Sequence, residues 1–202
     1  MPESPEQFYA RVQSHAGPDG RLPPPAYAEW ADVFPFEPGG VQMTPLRAPQ
    51  PEPPRSGVGG AGCAQCAPDA PTGVWQDDTW RLRPVGGDSG VLIMMLEPHR
   101  HADLTDLTED EAAALGRLTV HVARAIEALP HIARAQVMRI GDGAEHLHVW
   151  FFARPSRQLQ LRGSFLVVWD DALPALPDDV RQADARAIAG ALADSYGGRV
   201  NP

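Results

Sequence analysis

Apolar and polar positions fall into strand-like and helix-like periods along the second two-thirds of the chain. Trp80 to Val85 and Val91 to Leu96 predict two strands, joined by the glycine-rich connection Gly86-Gly87-Asp88-Ser89-Gly90. A helix follows. Thr108 and Glu111 frame a capping box, and Leu115, Leu118, Val122, Ile126 and Leu129 recur at helical spacing until Pro130 ends the run. Ala135 to Ile140, His146 to Ala153 and Phe165 to Trp169 predict three further strands. A second helix is expected from about Asp179 to Tyr196, with Val180, Ile188 and Leu192 inward and Gly197-Gly198 as its stop. Strands and helices are segregated, without βαβ alternation and without an internal repeat. The expected class is therefore α+β, an antiparallel sheet of about five strands with two main helices.

Residues 1–60 read differently. Pro23-Pro24-Pro25 and the stretch Pro49 to Pro54 oppose regular helix or sheet, so this segment is expected to be a Pro/Gly-rich arm. Tyr27, Trp30, Phe34 and Phe36 between the proline runs suggest that it wraps the compact domain, residues 61–202, or a partner subunit. The formal net charge of −9 argues against a general nucleic-acid binder. All 17 basic residues are arginine, which removes Schiff-base lysine chemistry and a Walker lysine. Met1 to Gly20 lacks the apolar core of a secretion signal. The longest apolar run, Gly90 to Leu96, is far short of the ~20 residues that span a bilayer. These features predict a cytoplasmic protein without a membrane partner.

The chain has two cysteines, Cys63 and Cys66. In a reducing compartment a C-x-x-C pair points to metal binding or redox chemistry. It follows the glycine-rich lead Gly57 to Gly62, which allows a tight loop. In His146-Leu147-His148-Val149-Trp150-Phe151-Phe152, strand alternation puts His146, His148, Trp150 and Phe152 on one face and Leu147, Val149 and Phe151 on the other. Two imidazoles so placed can meet one metal or divide two tasks. Zinc favours thiolate and imidazole in tetrahedral sets. The alternatives are free thiols or a redox couple, although a thioredoxin-type couple would need βαβ surroundings.

The strand His146 to Ala153 with Arg154 resembles the histidine-triad signature, alternating His and apolar residues, often followed by Pro-Arg. Pro98-His99-Arg100-His101, with Leu104, Asp106-Leu107-Thr108 and the capped helix, is similar to the Pro-x-x-His turn and helix start of the same family. The resemblance, over about residues 60–170, is to the histidine-triad and galactose-1-phosphate uridylyltransferase-like superfamily. It implies that superfamily's antiparallel sheet with packed helices, usually in a homodimer. It further implies structural zinc on Cys63, Cys66, His101 and His146, and His148 as the nucleophile that attacks a nucleotide α-phosphate. The partner implied is a nucleotide or sugar nucleotide.

Three positions depart from the pattern or flank it. Trp150 replaces the third histidine, offering one N–H donor and no acid–base function, but a surface on which a base or sugar can stack. Asp142 follows Gly141 where many members carry Gly-Gln. Arg154 matches the arginine after the triad, and with Arg139 it can supply positive charge to an anion or form structural ion pairs. Trp150, Arg154 and Asp142 are the candidate substrate-binding residues. Glu145 is expected to face solvent or a dimer partner, and His99 to be the lesser rival of His101. His121 and His131 read as surface or packing residues. Arg162-Gly163-Ser164 reads as a strand-initiating or anion-binding turn, and Asp170-Asp171 as a solvated loop. The expected function is a zinc-containing nucleotidyl hydrolase or transferase. The alternative is a non-catalytic module that binds a nucleotide or other small molecule.

Overall fold

The computed structural model describes residues 4–21, 45, 47–170 and 172–202. The proline run at 23–25 and Tyr27, Trp30, Phe34 and Phe36 lie outside the described residues, and with them the expected wrapping of the arm. The chain divides into two compact units, Met1–Pro53 and Pro54–Pro202. In the first unit, α1 (Pro5–His15) was not anticipated. Its start is nonetheless written in the sequence. The Ser4 hydroxyl accepts from the Gln7 amide, the Gln7 side chain accepts from the Ser4 amide, and Pro5 supplies a preset φ at the first helical position.

The second unit holds a six-stranded, fully antiparallel sheet: β1 (Trp75–Gln76), β2 (Trp80–Pro84), β3 (Ile93–Pro98), β4 (Ile132–Met138), β5 (Val149–Pro155) and β6 (Arg199–Val200), in the order β4-β5-β3-β2-β1-β6. The α+β class is as expected. The two-residue strands β1 and β6 are too short to leave a periodic signal.

One face of the sheet carries α2 (Glu109–Glu127) and α4 (Asp178–Tyr196). The Thr108 hydroxyl accepts from the Glu111 amide, and the Glu111 carboxylate accepts from the Thr108 amide, so the capping box forms as expected. Leu118, Val122 and Ile126 of α2, with Ala185, Ile188 and Leu192 of α4, pack on Leu82, Met94, Leu96, Val149 and Phe151. Each Val, Leu, Ile, Met or Phe side chain among them, fully buried, contributes about 1.5–3 kcal/mol. Register agrees with this pleat. Met94 pairs with Phe151 and Leu96 with Val149, while Ile93 and Met95 pair with Phe152 and Trp150 on the opposite face. Val180, expected inward, is 40% exposed. Arg181 holds the buried position instead, paired with Asp178 and donating to the Gly87 carbonyl.

The opposite face is partly covered by α3 (Phe165–Asp170), which overturns the expected fifth strand. A short run of apolar residues cannot be assigned to strand or helix by periodicity alone. Here the helix puts Leu166 and Asp170, one turn apart, both in the interior, and leaves Val168 exposed. A strand would have turned all three to one side. Asp170 is therefore not solvated. Its Oδ1 accepts from the amides of Gly90 and Val91 and from the Ser89 hydroxyl, fastening the connection between β2 and β3. Arg162-Gly163-Ser164 leads into this helix. No helix among the described residues is long and apolar enough to cross a membrane.

Candidate functional site

Cys63, Cys66, His101 and His146 offer one ligand atom each within 4.8 Å of one another. Three chain segments bring them together. The first is the loop at 56–66. Gly57, Gly59, Gly60 and Gly62 all have left-handed φ, between 62° and 83°. At Gly57 a Cβ would also lie 3.2 Å from the Cys63 Cβ. Gly57→Ala is expected to cost about 1–2 kcal/mol of backbone strain and to weaken metal binding, as a lowered urea midpoint and chelator competition would record. The Arg81 guanidinium fixes the middle of the C-x-x-C loop by donating to the Gln65 carbonyl at 2.8 Å. Arg81 is itself held by the fully buried Glu97, which also pairs with Arg83.

The second segment is the turn after β3. Arg100 forms a two-pronged pair with Glu111 and donates to the Asp106 carbonyl, tying this turn to the start of α2. His101 then presents Nδ1 at 3.8 Å from the Cys66 sulfur. His99 turns the other way, with Nε2 3.0 Å from the Asp77 carbonyl oxygen, so it is no rival of His101 in this arrangement.

The third segment runs into β5. His146, 1% exposed, places Nδ1 3.5 Å from the Cys63 sulfur and 3.4 Å from that of Cys66. Its Nε2 lies 3.0 Å from the Pro98 carbonyl oxygen. A carbonyl only accepts, so Nε2 carries the proton and Nδ1 turns its lone pair toward the sulfurs. Burial pushes the His146 pKa below its usual value despite this carbonyl, which favours the neutral imidazole a metal requires. Burial of its sulfur, followed by the Cys63 thiol, pushes Cys66 upward.

The geometry fits a metal. Sulfur and nitrogen ligands at zinc bond lengths of about 2.3 and 2.0 Å stand about 3.5 Å apart across a tetrahedron. Three of the four S···N separations are 3.4, 3.5 and 3.8 Å.

His148 stands apart from this set. Its Nδ1 donates to the His146 carbonyl at 2.8 Å. Its Nε2 makes no hydrogen bond among the described residues and is not sealed from solvent. The Trp150 ring meets it edge-on at 5.6 Å and stacks at 6.1 Å on Phe152. The Trp150 Nε1 is buried without a hydrogen-bond partner among the described residues. Asp142 is exposed in the loop before His146. Arg154 lies six residues beyond His148, about 20 Å along an extended strand. Its guanidinium donates to the Pro155 and Gln158 carbonyls. His121 and His131 serve helix packing, through Ser195 and Asp184.

Two acids were missed or misread from sequence. Asp103, 6% exposed, accepts from Arg55 at 2.5 Å and from Arg139. Burial alone would raise its carboxyl, but the two guanidinia and the Leu104 amide hold it at about 2. Its ordinary value is 3.8, so the stability it contributes is complete above that pH and is lost as pH falls through about 2. The amount is about 2 kcal/mol. Asp103→Asn is expected to lower the urea midpoint at pH 6 and to flatten its fall between pH 5 and 2. Glu145 does not simply face solvent. Its Oε1 accepts from the Gly59 amide at 3.0 Å and lies 3.5 Å from His101 Nε2. Neither acid lies in a motif; only their partners, 36 to 86 residues away, reveal them.

No family model and no curated protein matches the chain. Solved histidine-triad structures resemble it. A histidine triad protein from Sinorhizobium meliloti 1021 is 20% identical, with a TM-score of 0.49, covering 60% of this chain and 89% of that one. A zinc-bound histidine triad family protein from Mycobacterium smegmatis is 22% identical, with a TM-score of 0.47, covering 66% of this chain and 93% of that one. A uridylyltransferase is 20% identical, with a TM-score of 0.44, covering 61% of this chain and 41% of that one.

Proposed function

We propose that the chain is a zinc-containing nucleotidyl hydrolase or transferase that works through a nucleotidyl-histidine intermediate. Cys63, Cys66, His101 and His146 would hold the zinc, in a structural role: four protein ligands complete a tetrahedron and leave no open position. Its partner would be a nucleotide or sugar nucleotide, and its assembly a homodimer.

The observation that carries the catalytic part is the His148 hydrogen bond. Donation from Nδ1 to the His146 carbonyl fixes the tautomer and leaves the Nε2 lone pair as the accessible nucleophile. In the proposed step Nε2 bonds to the α-phosphorus. The bond to the leaving oxygen breaks with its electron pair, and the His146 carbonyl stabilises the positive charge that develops on the ring. Water or another acceptor then attacks phosphorus and loses its proton to solvent. The N–P bond breaks and the neutral imidazole returns. His146 thus links the two centres, holding the metal through its ring and orienting the nucleophile through its backbone.

Incubation with nucleoside phosphates followed by peptide mass spectrometry tests this. The expected result is a nucleotidyl adduct on the peptide that carries His148. The second reading, a binding module, is favoured by Trp150, whose ring stands beside His148 without any acid–base group. It predicts saturable nucleotide binding with no adduct and no turnover.

A further inference from the structure

The loop acid beside the proposed metal centre has a task that no motif assigns. The His101 Nε2 is sealed from solvent and has no hydrogen-bond partner among the described residues. A buried donor left unpaired carries a desolvation penalty. The Glu145 Oε1 lies 3.5 Å away, slightly beyond a well-formed hydrogen bond. That carboxylate is not free to drift. The Gly59 amide donates to Oε1, the Arg55 guanidinium stands 3.8 Å from Oε2, and Arg55 is anchored on Asp103. The Glu145 amide donates to the Ser56 carbonyl, and the Ser56 amide to the Gly143 carbonyl. The acid is thus held beside the Nε2 of His101 by the same glycine loop that delivers the cysteines.

We infer that Glu145 is the outer-shell carboxylate of the metal centre, a positioning residue that acts through His101. This rests on the metal site proposed above. With Nδ1 turned toward Cys66, Nε2 must carry the ring proton, and Glu145 accepts it once the gap closes by a few tenths of an ångström. The carboxylate then holds the ring in the ligating tautomer and raises the basicity of Nδ1, as second-shell acceptors of metal-bound histidines do. His146 receives the same service from the neutral Pro98 carbonyl. The two histidines therefore differ: one is oriented by a dipole, the other by a charge. The charge falls on the ligand paired with Cys66, the more exposed of the two cysteines.

Glu145→Gln separates this role from loop support, because the amide oxygen still accepts from the Gly59 amide while the charge is gone. Zinc affinity of the full chain is measured by chelator competition, together with the ¹⁵N resonance of the His101 Nε2. The wild type is expected to take one zinc, and Glu145→Gln to bind it about 10- to 100-fold more weakly. The His101 resonance should move while that of His146 stays in place. Equal affinity in the two proteins, with zinc bound by both, overturns the assignment of Glu145 and leaves the four-ligand site standing. A wild type that binds no zinc overturns the metal site and this inference with it.

Discussion

Chelation of zinc from the purified protein is expected to lower its unfolding free energy by about 4 kcal/mol, if free zinc had stood a thousandfold above its dissociation constant. For a chain of this size that is a fall of about 8–16 °C in the thermal midpoint. Cys63→Ser should give the same loss without a chelator, and added zinc should restore the wild type but not the variant. The physical ground is the position of Cys63. Its sulfur is in a buried residue, faces the deprotonated nitrogen of His146, and sits at the separation a tetrahedral ion requires. Scanning calorimetry with metal analysis of the same samples checks this. Zinc-free, fully reduced protein with an unchanged midpoint would end the case for the metal. A reversible Cys63–Cys66 disulfide would then be the next state to seek.

His148→Asn should abolish turnover, by at least about a thousandfold in kcat, while zinc content and thermal midpoint stay near wild type. Asparagine can still donate to the His146 carbonyl, so the local hydrogen bond survives and only the nucleophilic nitrogen is removed. His148 lies outside the four-residue Cys/His cluster and is only half-buried, so the change is expected to leave stability largely intact. Steady-state rates on a nucleoside phosphate, with metal analysis alongside, decide the matter. Undiminished turnover in the variant would remove His148 from catalysis. Loss of zinc in the same variant would mean that the two histidine roles are not separable.

The parts of the fold legible in the sequence were those with long, consistent local signals. The Thr108–Glu111 box and the Leu118-Val122-Ile126 stripe specify α2 almost residue by residue. Alternation from His146 onward placed Leu147, Val149 and Phe151 against the helices and Trp150 and Phe152 on the other side. At Phe165–Trp169 and at Val180 a tertiary partner overrode a local pattern. Phe165 to Trp169 has strand composition, but Asp170 is drawn inward by three donors at residues 89–91, and a helix meets that demand. At α4, Arg181 is buried because a carbonyl at Gly87 and a carboxylate at Asp178 await it, and Val180 turns outward in consequence. At the site, cysteine and histidine advertise themselves by residue type. Asp103 and Glu145 do not, because an acid in a loop looks solvated until its arginine and amide partners are known.

The spacing of the four Cys and His positions along the chain also bears on how tightly an ion could be held. Cys63 and His146 are separated by 83 positions, and His146 leads into β5, which pairs with β3. An unfolded chain retains the local C-x-x-C pair but not the two imidazoles, so its grip on the ion is about that of a dithiol peptide. Closing so long a loop adds little entropy cost over a shorter one, about 0.6 kcal/mol per doubling. An ion held there would grip the folded chain through four ligands and the unfolded chain through the two cysteines alone. The rate at which excess chelator removes such an ion would then report how often the Cys63–Cys66 loop and the His101 and His146 segments part.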